Sequence, residues 1–222
     1  MKNIFFAFVA AAAVTCGASA QSSDYTVFNN PDNHPYFGVR LGVDISNTAD
    51  ATYDSYSSGA GFHIGAVYNM PLYQNLYFEP GLSIFYDTFG QQVTVGDDPL
   101  GSYSVIDGSI RNFGFRIPLT FGYFFDFTDD IRVAPFTGPQ FNISLMAKDH
   151  WDDNSADFKN DYSIFGEGGF KHFDAQWVIG VGVTYKKYFA SVSGGIGMTK
   201  VRSTSVEHFR RNTVSISIGY NF

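Results

Sequence analysis

The sequence predicts an all-β fold, an eight-stranded antiparallel up-and-down transmembrane β-barrel, on three observations. Eight segments alternate apolar and polar residues with a period of two, their connections alternate short and long, and aromatic residues collect near both ends of the segments. Composition agrees with this. Of 222 residues, 45% are hydrophobic and 18% aromatic but only 16% charged, with 23 Gly, and the mean hydropathy is −0.07. Such a chain is neither disordered nor built of apolar helices, and its length suits one closed barrel better than several large domains. The formal net charge of −7 argues against nucleic acid as a partner, because phosphate recognition needs a basic footprint.

The first 20 residues read as a cleaved signal peptide. Lys2 precedes the apolar run from Ile4 to Val14, and Gly17-Ala18-Ser19-Ala20 supplies the small residues of a cleavage site. The apolar run is well short of the roughly 20 residues a membrane-spanning helix needs. Cys16 is the only cysteine and leaves with the leader, so disulfides, thiolate chemistry and cysteine zinc sites are excluded from the mature chain. Residues 21–35 are polar and are expected to form an extended periplasmic lead-in, and residues 36–222 to form the barrel.

The strands follow in order. In residues 36–46, Phe37, Val39, Leu41, Val43 and Ile45 share one face, and Gly38, Arg40, Gly42 and Asp44 the other. Residues 62–70 set Phe62, Ile64 and Met70 against His63, Gly65 and Asn69. Residues 76–87 set Phe78, Leu82, Ile84 and Tyr86 against Tyr77, Glu79, Ser83 and Asp87, and residues 113–123 set Phe115, Ile117 and Leu119 against Gly114, Arg116 and Thr120. The fifth run, residues 131–146, is less regular. Residues 176–185 alternate Trp177, Ile179, Val181 and Val183 with Gln176, Gly180, Gly182 and Thr184, and residues 189–201 set Val192, Ile196 and Met198 against Ser191, Ser193 and Gly197. The last run, residues 213–222, is the cleanest, with Val214, Ile216, Ile218, Tyr220 and Phe222 opposite Thr213, Ser215, Ser217, Gly219 and Asn221.

A soluble sandwich also alternates, so the connections decide. Residues 71–75, 126–130 and 186–188 make short turns, whereas residues 47–61, 89–110, 148–175 and 202–209 make long, polar links. Short turns on one side and long loops on the other, with an even strand count, are the asymmetry of a membrane barrel. Aromatic belts are expected at both ends. Tyr68, Tyr73, Phe78, Tyr123, Phe125, Tyr185 and Tyr188 lie near the short turns, and Phe62, Tyr86, Phe89, Phe113, Phe173 and Phe209 near the long loops.

The stretches Gly61-Phe-His-Ile-Gly-Ala-Val-Tyr68, Leu76-Tyr-Phe-Glu-Pro-Gly-Leu-Ser83, Phe115-Arg-Ile-Pro-Leu-Thr120, Trp177-Val-Ile-Gly-Val-Gly-Val-Thr-Tyr185 and Ile218-Gly-Tyr-Asn-Phe222 resemble the outer-membrane β-barrel families of Bacteroidota, including the PorT-like group, and more distantly the OmpA and OmpX barrels. The resemblance implies a place in the outer membrane, with loops outside and termini periplasmic. It also implies outer-membrane lipid as surroundings and recognition of Phe222 by the barrel-assembly machinery; because the sequence stops at Phe222, no peptidoglycan-binding domain of the OmpA kind is expected. An envelope or secretion protein is a further partner that the PorT-like likeness suggests. The likeness identifies architecture better than activity.

Arg40, Asp44, Glu79, Asp87, Arg116 and Arg132 are expected to point into the lumen and form a salt-bridged plug, since buried charges persist only when paired and eight strands enclose just enough room for side chains. A gated ion path is the alternative. His172 near Asp174, or His63 with a strand serine, are the only arrangements approaching a rim hydrolase or acyltransferase, and no catalytic motif gathers them, so neither an enzyme nor a cofactor is expected. The stretch 148–169 carries Asp149, Asp152, Asp153, Asp157, Asp161 and Glu167 interleaved with Trp151, Phe158, Tyr162 and Phe165. It reads as a solvated acidic loop. Its alternatives are an interaction surface, centred on Trp151, Asp152, Asp153, Asp157 and Asp161, or a weak calcium site, although no EF-hand order is present.

Overall fold

The computed structural model describes residues 34–49, 56–96, 103–151, 162–166, 169–203 and 208–222. The expected leader and most of the polar lead-in therefore lie outside the described residues. Eight long strands form the wall: β1 (Tyr36–Ala49), β2 (Gly59–Tyr73), β3 (Leu76–Gly96), β4 (Tyr103–Tyr123), β5 (Ile131–Trp151), β6 (Phe173–Tyr185), β7 (Tyr188–Gly197) and β8 (His208–Asn221). Each pairs antiparallel with its neighbours in chain order, and β8 returns to β1. Val43, for example, lies between Phe62 of β2 and Ile216 of β8. Across the apolar band closure pairs both edges of every wall strand, which is what a β-structure in lipid requires.

Alternation explains why these residues make this wall. Along β1, Val39, Leu41, Val43 and Ile45 face outward while Arg40 and Asp44 are buried inside, and β8 repeats the pattern with Val214, Ile216 and Ile218 outside. Apolar outside and polar inside is the reverse of a protein folded in water, and it is stable where the outer solvent is hydrocarbon. Two short turns hold non-glycine residues in the left-handed region, Gln74 at φ 50° and Lys186 at φ 56°, the conformation that tight two-residue hairpins require. Neighbouring turns brace them, because Asn75 Nδ2 donates to the Phe124 carbonyl at 2.8 Å and the Lys186 amide to the Asp130 carbonyl at 2.8 Å.

The strands outrun the membrane. β3, β4 and β5 are each 21 residues long, whereas a spanning strand needs about 9–11. The expected loop 89–110 is accordingly a continuing hairpin, and β5 carries on to Trp151. Beyond the apolar band the interior changes character. Phe89, Ile110, Ala147, Ile164, Phe170, Val201 and Phe209 pack into a buried apolar cluster inside the wall. Phe89 and Phe209, expected in the outer aromatic belt, are thus corrected to the inside, where both are fully buried. Phe89 keeps the inward parity of Phe85 and Asp87, and the strand simply does not end where the band does. Tyr77, on the polar face of its strand, stacks inward on Phe124 at 4.3 Å between centroids.

Candidate functional site in the lumen

The lumen is filled in layers. Nearest the short turns, Arg40 of β1 passes between Gly38 and Gly219, where added side chains would collide with its guanidinium and Cδ. Its guanidinium lies 4.0 Å over the Phe189 ring and donates to Asn221 Oδ1 at 2.8 Å. Glu79 is 3.7 Å from Arg40 and accepts from Tyr36 and Asn69, each at 3.3 Å. Above this layer is a cavity of about 100 Å³ walled by Ser83, Thr120, Ser193 and Ser217 on its polar side and by Val67 and Val178 among its apolar residues.

Asp44 is the hub of the next layer. His63 Nδ1 lies 3.0 Å from its carboxylate, Arg116 Nη1 donates to it at 3.0 Å, and Ser215 Oγ donates a short hydrogen bond. His63 Nδ1 also lies 3.2 Å from Arg116 Nη1, and its Nε2 lies 3.2 Å from Ser217 Oγ. Gly42 makes room for this, since a Cβ there would lie 2.7 Å from Ser217 Oγ and overlap the imidazole. One step further from the short turns, the fully buried Arg211 of β8 donates to Asp87 at 2.8 Å and to Asp174 at 2.7 Å. Asn142 links the layers by accepting from Arg116 Nε at 3.3 Å and donating to Asp174 at 3.1 Å. The Phe85 ring is 5.2 Å from the Arg116 guanidinium and 5.1 Å from that of Arg211. Arg40, Asp44, Asp87, Arg116, Asp174 and Arg211 each therefore face an opposite charge, the condition under which charges persist out of water.

Five of the six residues expected in the lumen lie in it, but in two groups. Arg40 and Glu79 form one, and Asp44, Asp87 and Arg116 the other, with the cavity alongside. Arg132 joins neither. It sits at the short-turn mouth, 2.9 Å from Asp126, because β5 begins there and its first inward position is at the rim. His63, Asp174 and Arg211 went unseen as members. Extending the last strand's alternation back by one inward position finds Arg211. Asp174 escaped because residues 148–175 read as one loop.

His172 and Asp174 are not brought together. His172 bonds to the Ser144 carbonyl at 2.9 Å and stacks on Phe165, while Asp174 is taken by Arg211 and Asn142. His63 does meet a strand serine, with Asp44 behind it, in the order of a nucleophile relay. A drug-sized ligand needs about 300–1,000 Å³, however, and this cavity holds only a few waters. In the acidic stretch, Asp149 is buried on the inner face of β5 rather than solvated, Trp151 is half-buried opposite Gly108, and Asp152, Asp153, Asp157 and Asp161 lie outside the described residues. Among the described residues no group of three or more His, Cys, Asp or Glu side chains is placed to hold a metal ion.

Residues 20–203 match the profile of a family described as the outer membrane protein beta-barrel domain. Comparison with curated protein sequences returns no match. Among solved structures the chain is similar to Neisserial surface protein A, NspA, at 14% identity and a TM-score of 0.41, over 86% of this chain and 100% of that one. It is also similar to Ail, the attachment invasion locus protein of Yersinia pestis, at 11% identity and a TM-score of 0.34, over 85% of this chain and 97% of that one. A third is the N-terminal β-barrel domain of Pseudomonas aeruginosa OprF, at 14% identity and a TM-score of 0.30, over 83% and 97%.

Proposed function

The chain belongs to the outer membrane protein beta-barrel domain family, and on that premise we propose that it is a non-conducting outer-membrane barrel, plugged by its own side chains, that carries its long loops on the cell surface. The short turns and both strand termini then face the periplasm. The observation that carries this reading is the stack of filled layers across the lumen. A path for ions would have to cross the Arg40–Glu79 layer, the Asp44–Arg116 and Asp87–Arg211–Asp174 groups, and then the apolar cluster around Phe89 and Phe209. An ion crossing that cluster would have to give up hydration against packed apolar side chains. A catalytic use of Ser217 and His63 is disfavoured by the small cavity.

Planar-bilayer recording tests the plug. Reconstituted protein should leave the bilayer at its baseline conductance. Steady single-channel steps would overturn the reading. Orientation is tested separately by labelling cysteines in intact cells: one placed at Asp107 should react with a membrane-impermeant maleimide, and one at Asp129 should not.

A further inference from the structure

We propose that the outer wall of β4 to β8, just beyond the apolar band on the long-loop side, is a docking surface for the phosphate groups of an anionic glycolipid in the adjoining leaflet. The proposal deepens the reading above and rests on it for which leaflet that is. It starts from a repeated step in outward-facing residues. On β4, Phe113 is followed two positions further out by Arg111, and on β5, Met146 by Lys148. Phe173, at the start of β6, is preceded by Lys171, and Met198, just after β7, is followed by Lys200. Arg111, Lys148, Lys171 and Lys200 are all exposed, and Arg210 of β8 lies directly opposite Lys200.

Two residues along a strand span about 7 Å. That is the step from the ends of the hydrocarbon to the headgroup phosphates, so these cations stand at the level where lipid charge is found. The arrangement is one-sided. At the same level β1 continues from Ile45 to Asn47 and Ala49, β2 ends outward on Ala60, and β3 goes from Tyr86 to Thr88. Arg111 and Lys148 are cross-strand partners, a pairing of like charges that costs stability by itself and is relieved by an anion between them. The short-turn rim differs, since there Arg132 pairs with Asp126 and Lys186 with Asp130. Within a chain of net charge −7, a basic tier at this depth complements phosphate, and it continues the lipid-facing band.

The test uses the full mature barrel, folded in neutral detergent, and measures binding of fluorescent bisphosphorylated lipid A against its fully dephosphorylated form. A cation near an anionic surface is worth a factor of about five, so with screening the phosphorylated lipid should bind at least ~10-fold tighter. Arg111→Gln/Lys148→Gln/Lys171→Gln/Lys200→Gln should remove most of that preference, whereas Lys186→Gln/Lys187→Gln should retain it. Equal binding of the two lipids by the unaltered protein overturns the proposal and needs no variant to fold. Equal loss in the short-turn control also overturns it, as does a preference surviving in the quadruple variant. If the barrel proves inverted in cells, the lipid preference in detergent still stands, so failure of the orientation and failure of the docking surface are told apart.

Discussion

Arg211 offers the sharpest test of how the lumen is held. Its guanidinium has no exposure and makes charge-assisted hydrogen bonds of 2.8 Å to Asp87 and 2.7 Å to Asp174, themselves buried. Arg211→Met keeps most of the volume and removes the charge, leaving two carboxylates with weaker company. Asp87 retains Arg116 at 3.7 Å, and Asp174 retains Asn142 at 3.1 Å. Removing one partner of a buried pair costs about 3–5 kcal/mol, and the residual contacts put this case near the lower end, about 3 kcal/mol. The triple variant Arg211→Met/Asp87→Asn/Asp174→Asn no longer buries the two carboxylates and should recover to within about 1 kcal/mol of the parent. Equilibrium urea titration in lipid vesicles, followed by tryptophan fluorescence and heat-modifiable gel mobility, reads both. A loss below about 1 kcal/mol in the single variant, or a triple variant no better than the single, would refute the argument that paired charge rather than volume holds this layer.

Two further substitutions probe the two solvents the wall separates. Phe209→Ala opens the apolar cluster beyond the band, where the ring lies 6.0 Å from that of Phe89, and should cost about 3–5 kcal/mol in the same titration. Ile216→Arg places a charge on the lipid face in mid-band, between Val43 and Val192, and should cost about 2–4 kcal/mol in vesicles. A much smaller loss there would show that β8 does not face lipid at that position.

The strands were legible because their solvent is two-sided. Val214 to Phe222 alternate without exception, and a period-two pattern with short and long connections leaves few topologies besides an up-and-down barrel. Strand ends were not legible. Past the apolar band the outer face becomes polar and the inner face apolar, so Phe89, Ile110 and Phe209 broke the expected pattern at the point where the wall continues. Asp149 was assigned to solvent because residues 148–175 read as one loop, whereas β5 continues through it to Trp151.

For the lumen, alternation placed Arg40, Asp44, Glu79, Asp87 and Arg116 on the inward face, and composition required that inward charges be paired. Which charge meets which was decided by closure. Arg211 lies 124 positions from Asp87 in the chain, and Ser217 lies 154 from His63. Sequence periodicity repeats over two residues and carries no information about strand stagger around a ring. Only when β8 joined β1 in a single register, Asp44 opposite Ser215, did the side chains of separate strands reach hydrogen-bonding distance, because closing the sheet fixes the height of every strand relative to all the others.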